Sequence, residues 1–336
     1  MDVLVIGGTG VISTGITRQL VAAGHNVTIL NRGETSVALP STVNRVTADR
    51  YDPDAFTEAV DDISVDVAID MLCFDREHAE TAIDAFEGIE QYILTSTVDV
   101  YERPPERNPI DESATRAPVT DYAAGKIAAE DAIMDAHGDA FAATVIRPWS
   151  TYGEGGPVLH TFGTDPYYVG RIRRGDPIVV HGDGTSLWGP CHRDDVARAY
   201  VGAVGNRIAY GETYHVTSAE TITWNQYHQR VATALDAPDP DLVHVPTDVL
   251  REVAPDRTEM LRDHFQYSTV FDDSKARRDL GFRYTIGFEE GVRRTVAALD
   301  DDGAVPDAPT EEDGFEDRLL TAWRSATDDV VAAMNE

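Results

Sequence analysis

The sequence predicts an α/β protein with a doubly wound parallel sheet and a smaller C-terminal α/β lobe. Three observations predict it. Apolar strand patterns alternate with helix-period stretches through the first half of the 336 residues. The first strand runs directly into a glycine-rich turn that opens a helix. The second half mixes shorter strands with helices less regularly, which suits a smaller lobe.

Asp2 to Ile6 is a short apolar run, as expected of a strand buried on both faces. Gly7-Gly8-Thr9-Gly10-Val11-Ile12-Ser13 follows, and a helix continues to about Ala23. Gly7 permits the tight turn. Gly10 lets backbone amides approach a pyrophosphate at the helix N-terminus. Ser13 stands at the third glycine position, which serves helix–sheet packing. This context makes a Rossmann-type dinucleotide site the expectation, with Gly7, Thr9, Gly10, Val11 and Ile12 around the phosphates. Asn26 to Leu30, the second strand, ends at Asn31-Arg32-Gly33. A site for the ribose 2′-hydroxyl of NAD usually carries Asp or Glu here, and this strand end has neither. Arg32 matches a 2′-phosphate, so NADP is the expected cofactor, with NAD as the alternative.

Val43 to Ala48, Val65 to Ile69, Gln91 to Leu94 and Ala142 to Ile146 continue the strand series. Later come Ile178 to Val180, Thr213 to Val216 and Leu242 to Val245, among helices near 194–204, 223–235, 273–280 and 287–299. The expected division is 1–158 for dinucleotide binding, with 188–212 returning to it. Residues 159–187 and 213–300 form the expected substrate lobe, 301–313 an acidic linker and 314–336 a docking helix.

Composition narrows the function classes. The net charge is −31, and only two basic residues, Lys126 and Lys275, are lysines. Arginine in place of lysine beside a large acid excess resembles proteins from salt-loving microbes, where concentrated salt screens charge over ~3 Å. Nucleic acid is not expected as the main partner, because a phosphate backbone would be repelled and no basic stripe appears. No apolar run reaches membrane-spanning length and no signal peptide is visible, so the expected location is the cytoplasm. Two cysteines, Cys73 and Cys191, lack metal-ligand spacing, and no metal is expected. Cys191 beside His192 does not place the two side chains together.

Lys126 has a local reason to survive where lysine is scarce: it lies four residues after Tyr122. On a helix the two share a face, where an ammonium can lower a phenol's pKa and fit it for proton transfer. Upstream lies Ile93-Leu94-Thr95-Ser96-Thr97-Val98-Asp99-Val100-Tyr101, with Thr97 25 residues before Tyr122. With the glycine turn, Ile146-Arg147-Pro148, Tyr152-Gly153, His192-Arg193-Asp194-Asp195-Val196 and Asp273-Ser274-Lys275, the chain over about residues 1–300 resembles the extended short-chain dehydrogenase/reductases, the NAD(P)-dependent epimerase/dehydratase family. The resemblance implies that Tyr122 is the acid/base, that Lys126 holds the nicotinamide ribose and depresses the Tyr122 pKa, and that Thr97 orients the substrate oxygen. It implies that Asp49 accepts from the adenine amine, with Arg50, Met71, Leu72 and Pro148 also along the cofactor. A homodimer, through helices including the one carrying Tyr122, is implied as well.

Three departures bear on the substrate. Dehydratases of the family carry Asp-Glu after the threonine; here Val98 and Asp99 stand there. Asp99 is then either a second acid or a surface or capping carboxylate. The arginine that clamps a substrate diphosphate is replaced by Trp188, and the family asparagine by Ser150. Arg171, Arg173 and Arg174 are either a substitute clamp or an exposed basic cluster. Trp149, Tyr152, His160 and Trp188 are either pocket walls or core. These departures resemble a divergent branch that includes the chloroplast stem-loop-binding proteins, which are associated with RNA. The expected function is a sugar or nucleotide-sugar epimerase acting through a transient ketone. The alternatives are an NADP-dependent dehydrogenase or reductase of a free sugar, sugar acid or other small carbonyl, and a non-catalytic nucleotide-sensing or RNA-associated protein.

Overall fold

The computed structural model describes residues 1–35 and 37–335. The chain divides into two compact units. The first comprises Met1–Thr151, Gly189–Ala219 and Val270–Ile286; the second comprises Tyr152–Trp188, Glu220–Thr269 and the residues from Gly287 onward.

The first unit is built on one seven-stranded sheet: β1 (Asp2–Ile6), β2 (Asn26–Asn31), β3 (Asn44–Thr47), β4 (Val67–Asp70), β5 (Gln91–Thr95), β6 (Ala142–Pro148) and β7 (Glu212–Val216). Their order is β7-β6-β5-β4-β1-β2-β3, with every neighbouring pair parallel. The helices of this unit used below are α1 (Val11–Ala22), α2 (Pro53–Asp61), α3 (Arg76–Ala85), α4 (Asp121–Asp135), α5 (Arg193–Ala203) and α6 (Ser274–Asp279). Alternate residues of β1 feed two cores. Val3 and Val5 pack with Ile16, Leu20, Val196 and Tyr200, while Leu4 and Ile6 pack with Phe56, Phe86 and Tyr92. A continuous apolar strand therefore has a buried destination for every side chain, each worth about 1.5–3 kcal/mol. The strand order reverses between β1 and β4, which opens a crevice at their carboxyl ends.

Two expectations about the smaller lobe are corrected. Residues 212–216 form the seventh strand of the main sheet, because β7 pairs in parallel with β6 from Glu212↔Thr144 to Val216↔Pro148. Residues 270–286 also belong to the first unit. Buried Asp195 of α5 holds the end of that segment by accepting from the Thr285 and Ile286 amides at 2.7 and 2.8 Å.

In the second unit, Ile178–His181 pairs in parallel with Leu242–Val245, and Leu187–Trp188 is antiparallel to Ile222–Thr223. Its final helix runs from Glu311 to Met334. The acids expected to end a linker instead open this helix: Thr310 caps it, accepting from the Asp313 amide at 3.3 Å, while Asp313 accepts from the Thr310 amide at 2.7 Å. Carboxylates in a first turn also complement the helix dipole.

Candidate active site

The glycine turn lies between β1 and α1 and borders a cavity of about 230 Å³. Gly7, Thr9, Gly10, Asn31, Arg32, Asp49, Arg50 and Leu72 all line it. Val11 and Ile12 form the first turn of α1, where amides have no intrahelical acceptor. Ser13 does more than pack: its Oγ accepts the Gly10 N–H at 2.8 Å and donates to the Gly7 carbonyl at 2.6 Å. The close packing expected at that position falls on Gly15, where a Cβ would lie 3.3 Å from both Ala197 Cβ and the Arg193 carbonyl of α5.

Arg50 lines the cavity, but its buried guanidinium is committed elsewhere. Nε donates to Asp70 at 3.1 Å, one Nη donates to the His78 carbonyl at 2.7 Å, and the group lies over the Phe56 ring. Arg32 is exposed and pairs with Glu34 at 2.9 Å. Glu34 lines the same cavity, as does Tyr51; the sequence reading missed both. Glu34 lies three residues beyond the strand end, and only the turn at Gly33 brings it back. Met71 follows β4 and receives a hydrogen bond from Thr95 Oγ1, and Pro148 ends β6 opposite Val216.

Thr97, Tyr122 and Lys126 come together in the first unit. Thr97 follows β5 and caps a 3₁₀ turn at Val98–Val100, accepting the Asp99 amide at 3.1 Å. Its hydroxyl is near enough to Tyr122 to draw the phenol's pKa down. Thr120 starts α4 by accepting the Ala123 amide at 3.1 Å, which places Tyr122 and Lys126 in its first two turns. Lys126 is buried, and its Nζ donates to the carbonyls of Cys73 and Thr95, both at 2.8 Å. The ammonium also lies 4.4 Å from the Phe74 ring centroid and 5.9 Å from that of Tyr122. Gly125 makes this reach possible. A Cβ there would stand 2.5 Å from the Phe74 carbonyl, so a side chain would hold α4 off the loop after β4.

The expected depression of the Tyr122 pKa is not found. Although nearly half of the residue's surface is exposed, crowding around the phenol pushes it up to about 12. The Asp99 carboxylate adds to the rise, and the nearby Thr97 side chain opposes it. Lys126 is bonded to two carbonyls rather than to the phenol. Burial lowers its own pKa to about 8. Asp99 is an ion-pair partner of buried Arg103, at 2.6 Å, and a negative charge beside Tyr122.

A buried network frames this trio. Arg147 of β6 donates to Glu130 of α4 at 2.7 Å through Nε and to the Tyr101 hydroxyl through an Nη. The Tyr101 hydroxyl meets His215 Nε2 at 2.5 Å, and His215 Nδ1 meets the Asp272 carbonyl at 3.2 Å. Burial lowers the His215 pKa to about 3, so the ring is neutral. Its carbonyl partner assigns the proton to Nδ1, and Tyr101 then donates to Nε2. Glu130 was missed in the sequence, although it lies one helical turn beyond Lys126; Arg147 and Tyr101 stood in noted motifs without a role.

Several other candidates belong to cores. Trp149 is buried in the first unit, 4.9 Å from the Phe271 ring and so close to Gly189 that a Cβ there would come within 2.3 Å of it. Ser150 follows it with φ +40°, a sparsely populated conformation for a side-chain-bearing residue. In the second unit Trp188 packs on Trp224 and Phe265, and His160 stacks on Tyr168. Tyr152 lies against Gly291 and Phe288. The arginines offered as a diphosphate clamp are all engaged within that unit. Arg171 meets Asp313, Glu316 and Asp317; Arg173 meets Asp300; Arg174 meets Asp176 and Asp313. Lys275 donates to the Thr213 carbonyl at 2.8 Å and so ties α6 to β7. Both thiols are buried, with Cys73 raised to about 12 and Cys191 well above its ordinary value. Among the described residues, no helix is long and apolar enough to cross a membrane.

Comparison with known proteins places these features in context. Residues 3–217 match the NAD dependent epimerase/dehydratase family. The chain is 30% identical to the 2′-dehydrokanamycin reductase of Streptomyces kanamyceticus over 273 residues, covering 81% of this chain and 77% of that one. It is 26% identical to the chloroplast stem-loop binding protein of 41 kDa b of Arabidopsis thaliana, covering 86% and 77% respectively. Among solved structures, the UDP-glucose 4-epimerase of Thermus thermophilus in complex with NAD superposes with a TM-score of 0.69 at 22% identity, covering 89% of this chain and 99% of that one. At that identity the likeness is one of fold.

Proposed function

Since the chain belongs to the NAD dependent epimerase/dehydratase family, we propose that it is a reductase, converting a carbonyl on a sugar-like small molecule to an alcohol and taking NADP in preference to NAD. What carries this reading is the grouping of Tyr122 with Thr97 and Lys126 on neighbouring elements of the first unit, where burial pushes the phenol up to about 12. At neutral pH such a tyrosine is an acid holding its proton, which is the form carbonyl reduction needs. Epimerisation through a transient ketone, the sequence expectation, must first use the same group as a base. The diphosphate clamp of nucleotide-sugar enzymes also has no substitute in Arg171, Arg173 or Arg174, whose charges are neutralised by carboxylates. The name of the reductase relative at 30% identity supports the same direction.

The residues present fit a nicotinamide dinucleotide. The first turn of α1 would hold the pyrophosphate, Asp49 the adenine amine, and Arg32 a 2′-phosphate. When bound, the dinucleotide supplies the hydride. Lys126 has three N–H donors, and the Cys73 and Thr95 carbonyls take two, which leaves one for a ribose hydroxyl. Thr97 would position the substrate oxygen, and the Tyr122 hydroxyl would deliver the proton to it. Burial, and secondarily the Asp99 charge, favours the protonated phenol.

Tyr122→Phe tests the assignment. Turnover of a carbonyl panel, followed by loss of reduced nicotinamide absorbance, should fall by about 10²- to 10⁴-fold, with an unchanged melting transition. Retained turnover in a folded variant would overturn it. Tightly held cofactor with no net redox change, alongside interconversion of two sugar epimers, would replace it with the epimerase reading.

A further inference from the structure

We infer that Arg147 and Tyr101 are positioning residues that together set the distance between the turn carrying Thr97 and the helix carrying Tyr122 and Lys126. The inference rests on the reductase reading above and goes beyond it by giving a role to two residues outside the acid and its immediate neighbours. Both are buried, as are Glu130 and His215. Arg147 stands on β6 and reaches in two directions. Towards α4, Nε donates to Glu130 Oε1 at 2.7 Å and one Nη donates to Oε2 at 2.5 Å. Towards the Thr97 turn, the other Nη donates to the hydroxyl of Tyr101, the residue that ends the turn Val98–Val100. One planar guanidinium thus spans both elements.

The span matters because of what each element carries. Tyr122, Lys126 and Glu130 follow at four-residue steps on α4, so they lie along one face. A clamp on Glu130 therefore fixes the roll and height of the helix that presents Tyr122. Arg116 also meets Glu130, at 3.1 Å, but from a partly exposed position outside the sheet. Thr97 lies one residue past the Ser96 amide, which bonds the Ile146 carbonyl of β6 at 2.8 Å. Pinning Tyr101 fixes the far end of the turn that Thr97 opens. The Tyr101 hydroxyl accepts from Arg147 and donates to His215 Nε2 on β7 at 2.5 Å, and the Asp272 carbonyl holds His215 at 3.2 Å. Each donor in this chain has its acceptor, so the hydroxyl has no second arrangement that keeps both bonds.

The test is steady-state reduction by the full chain, with NADPH as donor, of the carbonyl-panel member it turns over fastest, in light and in heavy water. Y101F removes the hydroxyl and leaves the ring and the Arg147–Glu130 pair in place. R147K keeps a cation beside Glu130 but has no fork to span both elements. Each should lower kcat by about 10- to 100-fold and keep the KM for NADPH within about threefold. Each should also raise the solvent isotope effect on kcat, because proton delivery from Tyr122 becomes the slow step. Q91M is the comparison. It removes buried bonds to Thr144 and to the Ala203 carbonyl at the opposite end of β5, so its melting transition should fall while kcat stays within about twofold. A folded Y101F protein with the parental kcat and isotope effect would overturn the inference. So would a Q91M protein that loses as much kcat as Y101F for an equal fall in melting transition, since the loss would then be one of stability. A parent chain that reduces no member of the panel would overturn the reductase reading and this inference with it.

Discussion

Gly125→Ala should damage the site although it improves the helix. In an exposed helix, Ala in place of Gly gains about 1 kcal/mol. Here the new methyl would stand 2.5 Å from the Phe74 carbonyl, about 0.9 Å short of an ordinary 3.4 Å contact. That carbonyl is backbone and cannot rotate aside, so α4 must retreat from the loop after β4. The retreat carries the root of Lys126 with it. A bond of 2.8 Å to the Cys73 carbonyl, lengthened by that amount, no longer holds. Overpacking of this kind costs about 1–3 kcal/mol, which outweighs or cancels the propensity gain and leaves a net loss of about 0–2 kcal/mol. A misplacement approaching 1 Å in the catalytic pair should lower turnover by about 10- to 100-fold. Urea unfolding and steady-state reduction assays would measure the two effects together. Ala124→Gly is the control, since it should cost about 1 kcal/mol and spare turnover. A Gly125→Ala protein with full turnover and about 1 kcal/mol of added stability would refute the argument.

Other outcomes follow from the same structure. Lys126 should lose its proton as pH rises through about 8, so reductase activity should decline above that point; a profile flat to about pH 10 would contradict its role. In the second unit His160, His181 and His228 are buried and neutral, with pKa values lowered by burial to about 3, 4 and 3. Their unfolded value is 6.5, so the stability of the neutral forms is present above that pH and is lost as pH falls. Each should cost about 2 kcal/mol by about pH 5, and denaturant unfolding that does not change between neutrality and that pH would rule this out. Glu316 has the opposite sign. Burial raises it from 4.5 to about 7 against the pull of Arg171, so stability is lost as pH rises through that range. Arg171→Met leaves Glu316 and Asp317 without their cation and Asp313 with Arg174 alone. It should destabilise the second unit by about 3–5 kcal/mol and release the last helix to proteolysis at neutral pH; a protease-resistant variant would count against it.

What was readable in the sequence was local. A strand, a glycine turn and a helix in register announce themselves through adjacent residues, and Tyr122 with Lys126 share a face because four residues make about one helical turn. The spacing of Thr97 was visible for the same reason. Long-range geometry was not. Residues 212–216 look like any short strand, and only pairing with β6 makes them part of the main sheet. Arg171, Arg173 and Arg174 read as a cluster of free cations until the final helix brings carboxylates to Arg171 and Arg174 and Asp300 of the helix before it meets Arg173. Glu34 was missed because it lies beyond the strand end, yet it returns to Arg32 across one turn. The pKa of Tyr122 shows the division most clearly. Sequence alone placed an ammonium beside a phenol and implied a lowered value. The folded chain decided otherwise, because the Cys73 and Thr95 carbonyls engage that ammonium while burial and Asp99 act on the phenol. Spacing determines which groups share an element; the direction of a proton's shift depends on every dipole and charge that tertiary packing brings within a few ångströms.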